Sequence, residues 1–310
     1  MKTTVIHHSA DYDGILCREI ARKFLPDAEL IGWDFSDKCL PPPDCDRLFV
    51  MDLPLDRPFG FDIRNLVSGE NRGECRMGNC SDIIWIDHHK SSIETHPDCI
   101  PGYRIDGVSA CRLAWQWFHQ ECHNYPLNAG RDNCQLPTKE NFINREVREP
   151  EAVLLAGEYD IWDHRGDGDL EFQFGLDAQQ PVPWDTLLSD NDMAALMTRQ
   201  IIIDGGAAMR CCGKRDADTV KSRSFLIEWE GLKFLALTTA KCNSNTFHAK
   251  DVPETGHDAL MAFYYNGQAW NFSLYHASHR KEIDLSLIAA KHGGGGHRGA
   301  CGFRLEKLPF

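Results

Sequence analysis

The sequence predicts an α/β protein in two parts: a doubly wound, mainly parallel sheet in the N-terminal domain, and a smaller α+β C-terminal domain. Three observations carry this. Strand-like and helix-like segments alternate through the N-terminal part. Two apolar runs, Arg47–Leu53 and Asp82–Asp87, are nearly continuous and end in an acid, which suits parallel strands covered on both faces. The C-terminal part instead holds two pairs of strand-like segments, a short helix and a run of four glycines.

Thr3–His8 is β-rich, and Gly14–Leu25 has apolar residues at helical spacing. Leu30–Asp34 reads as a second strand, and Ser109–His119 and Glu149–Glu158 as helices. The polar stretches Ser68–Ser81 and Asn124–Arg145 read as loops or insertions. Asp192–Cys212 is a helix leading to the second domain, with a boundary inside 190–222. The expected division is a first domain over 1–195, a linker helix region over 196–220 and a second domain over 221–310. In that domain Ser224–Trp229, Lys233–Thr239, Ala259–Tyr265 and Ala269–Tyr275 are strand-like. Asp284 is placed to cap a helix ending at Lys291, and Ala300–Leu305 follows the glycines as a strand.

A chain of 310 residues makes one large domain or two ordinary ones. No stretch approaches the roughly 20 apolar residues that span a bilayer. The N-terminus lacks a signal-peptide core, so the expected location is cytoplasmic, with no membrane partner. A net charge of −13 argues against a broad grip on long nucleic acid, and no long-duplex binding is expected. That charge leaves room for a short anionic substrate held by metals and a local basic patch. The 13 cysteines are expected reduced and mostly in the core. Cys39/Cys45 and Cys75/Cys80 fall outside the usual zinc-knuckle spacing, which disfavours structural zinc.

Gly293-Gly294-Gly295-Gly296-His297-Arg298-Gly299 is hard to explain as packing, because glycine loses more backbone freedom on folding than any other residue. Such a loop lets backbone N–H groups approach an anion, with His297 and Arg298 adding charge-assisted donors. A flexible linker is disfavoured because a strand-like segment follows at once. Ionisable residues also gather at the ends of strand-like segments, where open α/β sheets bind ligands. His7-His8-Ser9-Ala10-Asp11-Tyr12-Asp13 ends the first, Asp52 another, and Asp87-His88-His89 the next, while Asp160 follows a helical stretch. Oxygen-rich sites supplemented by imidazole suit Mn²⁺ or Mg²⁺. Each piece has a plainer reading: His7 as a satisfied strand-end histidine, Asp11 and Asp13 as helix caps, Asp52 as a turn residue before Pro54, Asp160 as a partner of Arg165. Four such groups together are less easily dismissed.

This combination resembles the DHH phosphoesterase superfamily with a C-terminal DHHA1-type domain. His7-x-x-x-Asp11-x-Asp13 is similar to the first motif and Asp52 to the second. Asp87-His88-His89 is similar to the name-giving triplet, Glu158-Tyr159-Asp160-Ile161-Trp162 to the fourth motif, and Gly293–Arg298 to the glycine-rich motif. The Asp-Tyr-Asp and Tyr-Asp-Ile-Trp forms place it near the branch that degrades very short RNA, the small oligoribonucleases. Glu158 stands where the family often has Asp, and the segments 68–81 and 124–145 depart from its pattern.

The resemblance implies two divalent ions, Mn²⁺ foremost with Mg²⁺ or Co²⁺ as alternatives. One is held by His7, Asp11 and the bridging Asp52, the other by Asp13, Asp52, His88 and Asp160. Two such cations lower the pKa of a shared water and place it in line with phosphorus. Asp87 then orients an imidazole, and His89 faces the scissile phosphate. Gly294, Gly295, Gly296, His297 and Arg298, joined by Arg280, hold the phosphate or terminal nucleotide, so the active site lies in the cleft between the domains. Lys241–Asn245 contacts base or sugar, and His8 has no assignment. The expected activity is hydrolysis of short oligonucleotides or linear dinucleotides to nucleoside 5′-monophosphates, by a monomer or homodimer. Rivals of the same chemistry are a cyclic dinucleotide phosphodiesterase, a 3′-phosphoadenosine 5′-phosphate phosphatase, a single-strand exonuclease and an inorganic pyrophosphatase. A rival of another class is a non-catalytic nucleotide sensor, whose expected sign is a missing metal ligand.

Overall fold

The computed structural model describes residues 1–61, 77, 79–80, 82–96, 100–120, 147–164, 168–179, 181–240, 242–248 and 250–310. The stretch 124–145, nearly all of 68–81, and the individual residues Cys75, Arg165 and Lys241 lie outside them. The chain forms two compact units, Met1–Ala208 and Met209–Phe310.

In the first unit, strands β1 (Thr3–His8), β2 (Glu29–Trp33), β3 (Arg47–Met51) and β4 (Asp82–Ile86) form one parallel sheet in the order β2-β1-β3-β4. The near-continuous apolar runs have the physical cause expected of them. Val5, Phe49, Met51, Ile84 and Ile86 enter one core, while alternating Ile6, Leu48, Val50, Ile83 and Trp85 enter another. Period-2 alternation thus leaves both faces of the sheet needing cover.

The first core also takes in α1 (Tyr12–Phe24), α3 (Ala110–Gln120), α4 (Glu151–Asp160), α5 (Asp169–Ala178) and part of α7 (Asp192–Arg223). The second is completed from irregular segments through Cys45, Leu53, Leu55, Cys80 and Ile100. Two short helices, α2 (Lys90–Thr95) and α6 (Trp184–Leu187), complete the described helices of this unit. Helix α7 runs eleven residues past the expected end at Cys212, because Gly213 weakens a helix without stopping it.

The second unit carries β5 (Phe225–Trp229), β6 (Leu232–Thr238), β7 (Ala259–Tyr265), β8 (Trp270–His276), β9 (Gly295–His297) and β10 (Ala300–Leu305), in the sheet order β5-β6-β7-β8-β10-β9. Only β6 and β7 pair in parallel. Helix α8 (Ser286–Lys291) lays Ala289 on the face formed by Phe234, Met261, Phe272 and Phe303. Phe272 and Phe303 stack at 4.9 Å between centroids.

The glycine run is not the open loop its composition suggests. The N–H groups of Gly293 and Gly294 donate to Ala290 and Ala289 at the end of α8. Gly295–His297 then pairs antiparallel with β10. Gly293 at φ +76° makes the turn out of the helix, and a Cβ on Gly294 would stand 2.0 Å from the Gly302 carbonyl oxygen. The glycines are therefore explained by a helix stop and close strand packing. A backbone cradle for an anion does not fit Gly293 and Gly294, whose donors are already engaged.

Two glycines of the first unit mark a close helix crossing. A Cβ on Gly205 of α7 would meet the Glu171 carbonyl oxygen at 1.7 Å, and one on Gly175 of α5 would meet the Ile201 carbonyl oxygen at 2.0 Å. Gly213, farther along α7, has nothing within 4 Å. Urea denaturation is expected to show opposite signs. Gly213→Ala should stabilise by up to about 1 kcal/mol through helix propensity, while Gly205→Ala should destabilise despite the same gain. Equal shifts would contradict the crossing.

Candidate metal centre

The parallel register brings the ends of the four strands level. His7 pairs with Gly32 and with Met51, and Met51 with Ile86. The residues at or just beyond these ends, His8, Asp34, Asp52 and Asp87, therefore emerge from one edge of the sheet. Asp52 lies at the centre of this group. It is 2 % exposed and has φ +59°, a left-handed conformation costing roughly 1–2 kcal/mol for a residue bearing Cβ. Its N–H donates to the Ile86 carbonyl, and the next residue's carbonyl accepts from Trp85 Nε1 at 2.8 Å, so β4 fixes the turn on both sides.

Imidazoles converge on Asp52. His88 Nε2 lies 3.3 Å from its Oδ1, His8 Nδ1 3.5 Å from its Oδ2, and His89 Nδ1 4.0 Å from its Oδ1. His8 Nδ1 is also 2.8 Å from Asp11 Oδ2, and His8 Nε2 3.4 Å from Asp34 Oδ1. His88 Nε2 stands 3.3 Å from Asp160 Oδ2 and 3.6 Å from Asp13 Oδ2. Three ligand groups follow, His8–Asp11–Asp52, Asp52–His88–His89 and Asp13–His88–Asp160, linked through Asp52 and His88.

Three of the carboxylates, Asp11, Asp13 and Asp87, are fixed by backbone donors. Asp11 caps α1 by accepting from the Gly14 N–H. Asp13, expected as a possible cap of the helix it sits in, instead accepts from the N–H groups of Ala110 and Cys111 at 2.8 and 2.7 Å, capping α3. Asp87 Oδ1 accepts from the His88 and His89 N–H groups and from His89 Nδ1 at 2.7 Å. Asp160 ends α4.

The electrostatics follow from crowding. Burial would raise the Asp52 carboxyl, but contacts from His8 and His88 outweigh it and hold the group well below the usual range. Burial and the Asp52 charge push Asp13 up, and burial with the Asp13 charge pushes Asp160 up. Burial opposes charge on His8, yet Asp11 and Asp52 raise it to about 11. The neighbouring His7 is pushed down to about 4 by burial. Its Nδ1 donates to the His8 carbonyl at 2.7 Å, leaving Nε2 with the lone pair that a metal-ligating imidazole requires.

The donor set fits divalent cations. Asp52 Oδ1, Asp160 Oδ2 and both ring nitrogens of His8 are buried without a hydrogen-bond partner among the described residues, although oxygens or nitrogens of opposite charge stand 2.8–3.5 Å away. Contacts that close, without hydrogen-bond alignment, are those of ligands arranged around common points. Carboxylate oxygen with some imidazole is the set for Mn²⁺, Mg²⁺ and related ions.

The structure brings together Asp11, Asp13, Asp52, His88, His89 and Asp160, with Asp87 behind the histidines. It places His8, not His7, in the groups of close ligands, because successive strand residues point to opposite sides. Asp34 joined the site unnoticed, since one acid after a strand looks like any turn residue. Trp162, part of the fourth motif but without an expected role, is 54 % exposed at φ +55°, two residues beyond Asp160. None of the groups able to hold a metal among the described residues contains a cysteine.

In the second unit, Arg298 donates to the Glu282 carbonyl, and Arg280 Nε bonds Glu282 Oε1 at 2.5 Å and pairs with Asp258. Two guanidinium groups are thus anchored at one turn beside β9. Asn243, in the segment 241–245 expected to contact base or sugar, forms a capping box with Thr246. Gly295, Gly296 and His297 lie exposed on the sheet's edge strand.

No family model matches the sequence, and no curated protein matches it. Solved structures do. The DHH domain of a member of the s1p family of ribosomal proteins is 13 % identical, over 98 % of this chain and 83 % of that one, with a TM-score of 0.54. The exonuclease RecJ bound to manganese is 12 % identical over 98 % and 86 %, with a TM-score of 0.46. The pGpG-specific phosphodiesterase PggH from Vibrio cholerae is 14 % identical over 99 % and 94 %, with a TM-score of 0.43. The first of these shows the fold: the chain has the DHH fold, as the sequence motifs implied.

Asn tolerates left-handed backbone and Ala does not, so two substitutions at Asp52 separate charge from strain. Both Asp52→Asn and Asp52→Ala are expected to weaken Mn²⁺ binding at least 10-fold by calorimetry. In urea denaturation without metal, Asp52→Ala is expected to be the less stable of the two by about 1 kcal/mol.

Proposed function

We propose that the chain is a divalent-metal-dependent phosphoesterase that hydrolyses short oligonucleotides or linear dinucleotides to nucleoside 5′-monophosphates. The observation that carries this reading is the row of strand-end carboxylates and imidazoles centred on Asp52, with the buried oxygens of Asp52 and Asp160 lacking hydrogen bonds. Asp11, Asp13, Asp52, His88 and Asp160 would hold the ions, with a further imidazole from the His7–His8 pair. Bound there, divalent ions supply a nucleophilic hydroxide and neutralise phosphate charge.

The protein's own groups do the rest. The Ala110 and Cys111 amides hold Asp13 rigid, so its carboxylate needs no reorganisation when an ion binds. Asp87 fixes the His89 ring through Nδ1, and although burial opposes it, that carboxylate raises the imidazole above its ordinary pKa. In its protonated form His89 would present a proton to the leaving oxygen. The exposed Trp162 indole offers a base a stacking face beside Asp160.

Short substrates suit the charge. A net charge of −13 argues against a broad grip on a long strand, and the anchored Arg280–Arg298 pair is a local cationic feature. These two residues, with His297 and Gly295–Gly296, form the proposed holding site for a phosphate or terminal nucleotide. Among the described residues, no helix is long and apolar enough to cross a membrane.

With Mn²⁺ and a panel of 5′-labelled di- to decanucleotides, the expected products are mononucleotides, released fastest from the shortest substrates. Equal rates on dinucleotides and long strands, or turnover confined to cyclic dinucleotides, would sink the substrate assignment. His89→Ala should lower kcat about 10²–10⁴-fold, the usual worth of a general acid, with little change in Mn²⁺ affinity. Trp162→Ala should raise KM for a dinucleotide by roughly 5-fold or more, the lower end of base stacking on an aromatic ring, and leave metal affinity unchanged.

A further inference from the structure

All of Asp251, His257 and His279 lie in the second unit, far in sequence from the strand-end carboxylates. Asp251 precedes a one-turn 3-10 helix, Pro253–Thr255, His257 follows it, and His279 lies in the turn after β8. His257 Nε2 is 3.0 Å from Asp251 Oδ1, and His279 Nδ1 is 3.9 Å from the same oxygen. The two rings meet edge to face at 4.9 Å.

The hydrogen bonds define which ring atoms carry lone pairs. His279 Nε2 stands 2.9 Å from the His257 carbonyl, which can only accept, so the proton is on Nε2 and Nδ1 of the neutral ring is bare. That Nδ1 is buried and has no hydrogen-bond partner, yet it faces a carboxylate oxygen. The His257 side chain is fully buried, and its Nδ1 also has no hydrogen-bond partner. A carboxylate and two imidazoles held this way have more acceptors than donors. Without metal, His257 Nε2–H donates to Asp251 Oδ1 at 3.0 Å, a proton that a bound metal would displace. No proton satisfies His279 Nδ1, because 3.9 Å is too long for a hydrogen bond.

We propose that Asp251 Oδ1, His257 Nε2 and His279 Nδ1 form a binding site for a divalent transition metal of the Zn²⁺ class. Bonds of about 2.0–2.1 Å put neighbouring ligands of a tetrahedral ion roughly 3.3 Å apart. The separations of 3.0 and 3.9 Å bracket that value, and all three ligand atoms lie within 4.8 Å of one another. The His279 Nε2–H bond to a backbone carbonyl is the outer contact that fixes the tautomer of a metal-bound histidine. Two imidazoles to one carboxylate favour Zn²⁺ over Mg²⁺, and three protein ligands leave a fourth position for water.

The ion would act as a clip. Asp251 already accepts from the Ser278 N–H at 3.0 Å, and Ser278 Oγ donates back to the Asp251 carbonyl. Metal would tighten this join between the 251–258 segment and the turn at 277–280. Both partners of the Arg280–Asp258 ion pair lie on the clipped segments, so the ion would hold the guanidinium that the proposed function assigns to substrate. The metal site itself does not rest on that assignment.

The test uses full-length protein stripped of metal, re-equilibrated with Zn²⁺, desalted and assayed for bound metal per chain. Asp52→Ala should retain one ion that Asp52→Ala/His279→Ala loses, and Zn²⁺ should raise the Tm of the first but not the second. Equal metal content in these two proteins would overturn the site and leave a hydrogen-bonded cluster only. If the double variant fails to fold without metal by far-UV circular dichroism, Co²⁺ added to Asp52→Ala decides. Visible bands of tetrahedral Co²⁺ are expected, and their absence overturns the proposal. Failure here leaves the phosphoesterase reading standing, because that reading depends on Asp52, not on His279.

Discussion

The central constraint in this protein is a buried carboxylate on an unfavourable backbone. Asp52 must leave β3 in left-handed conformation to turn its side chain back among the histidines. Strain of this kind persists only where the surroundings over-determine it. Here β4 does so, through the Ile86 carbonyl on one side of the turn and the Trp85 indole on the other. The charge is equally constrained: an anion this buried is tolerable because His8 and His88 stand against it. Sheet, turn and cluster form one object.

Register extends that constraint to the other ligands. Parallel pairing sets the four strand ends level, and the covered faces forbid a slip of one residue, which would exchange the two apolar faces. The residues at or just past the strand ends, His8, Asp34, Asp52 and Asp87, can then hardly avoid each other. The site arises from the same alternation that builds the two cores.

Much of this was legible in the sequence, and the misses have physical reasons. Strand limits read from apolar runs fall within about two residues of the observed ones, because burial on both faces writes itself into every position. Asp11, Asp13, Asp52, His88 and Asp160 were recognisable because they follow elements that the pattern locates. Which of His7 and His8 faces the acids was not, since alternation at a strand end leaves the side undetermined. Asp13 could be read as a cap but not of α3, whose first residue lies 97 positions away. The glycine run misled for a similar reason. Its pairing with β10 and its contact under Gly302 are non-local, whereas composition speaks only of local freedom. Asp251, His257 and His279 form no motif, and only the fold of β7 and β8 gathers them.

One contact ties the chemistry to the interior of the fold. Asp13 is at once a member of the ligand cluster and the cap of α3, a helix whose far end buries Phe118 in a stack with Phe24 of α1. The carboxylate is thus a fixed point on a rigid rod seated in the apolar core. Substitutions that let this rod slide, though made among aromatic rings with no charge of their own, would be felt at the strand ends as a changed preference between ions of different radius. If the cluster holds ions as proposed, cation selectivity would be a mechanical property of the core as well as a chemical property of the ligands.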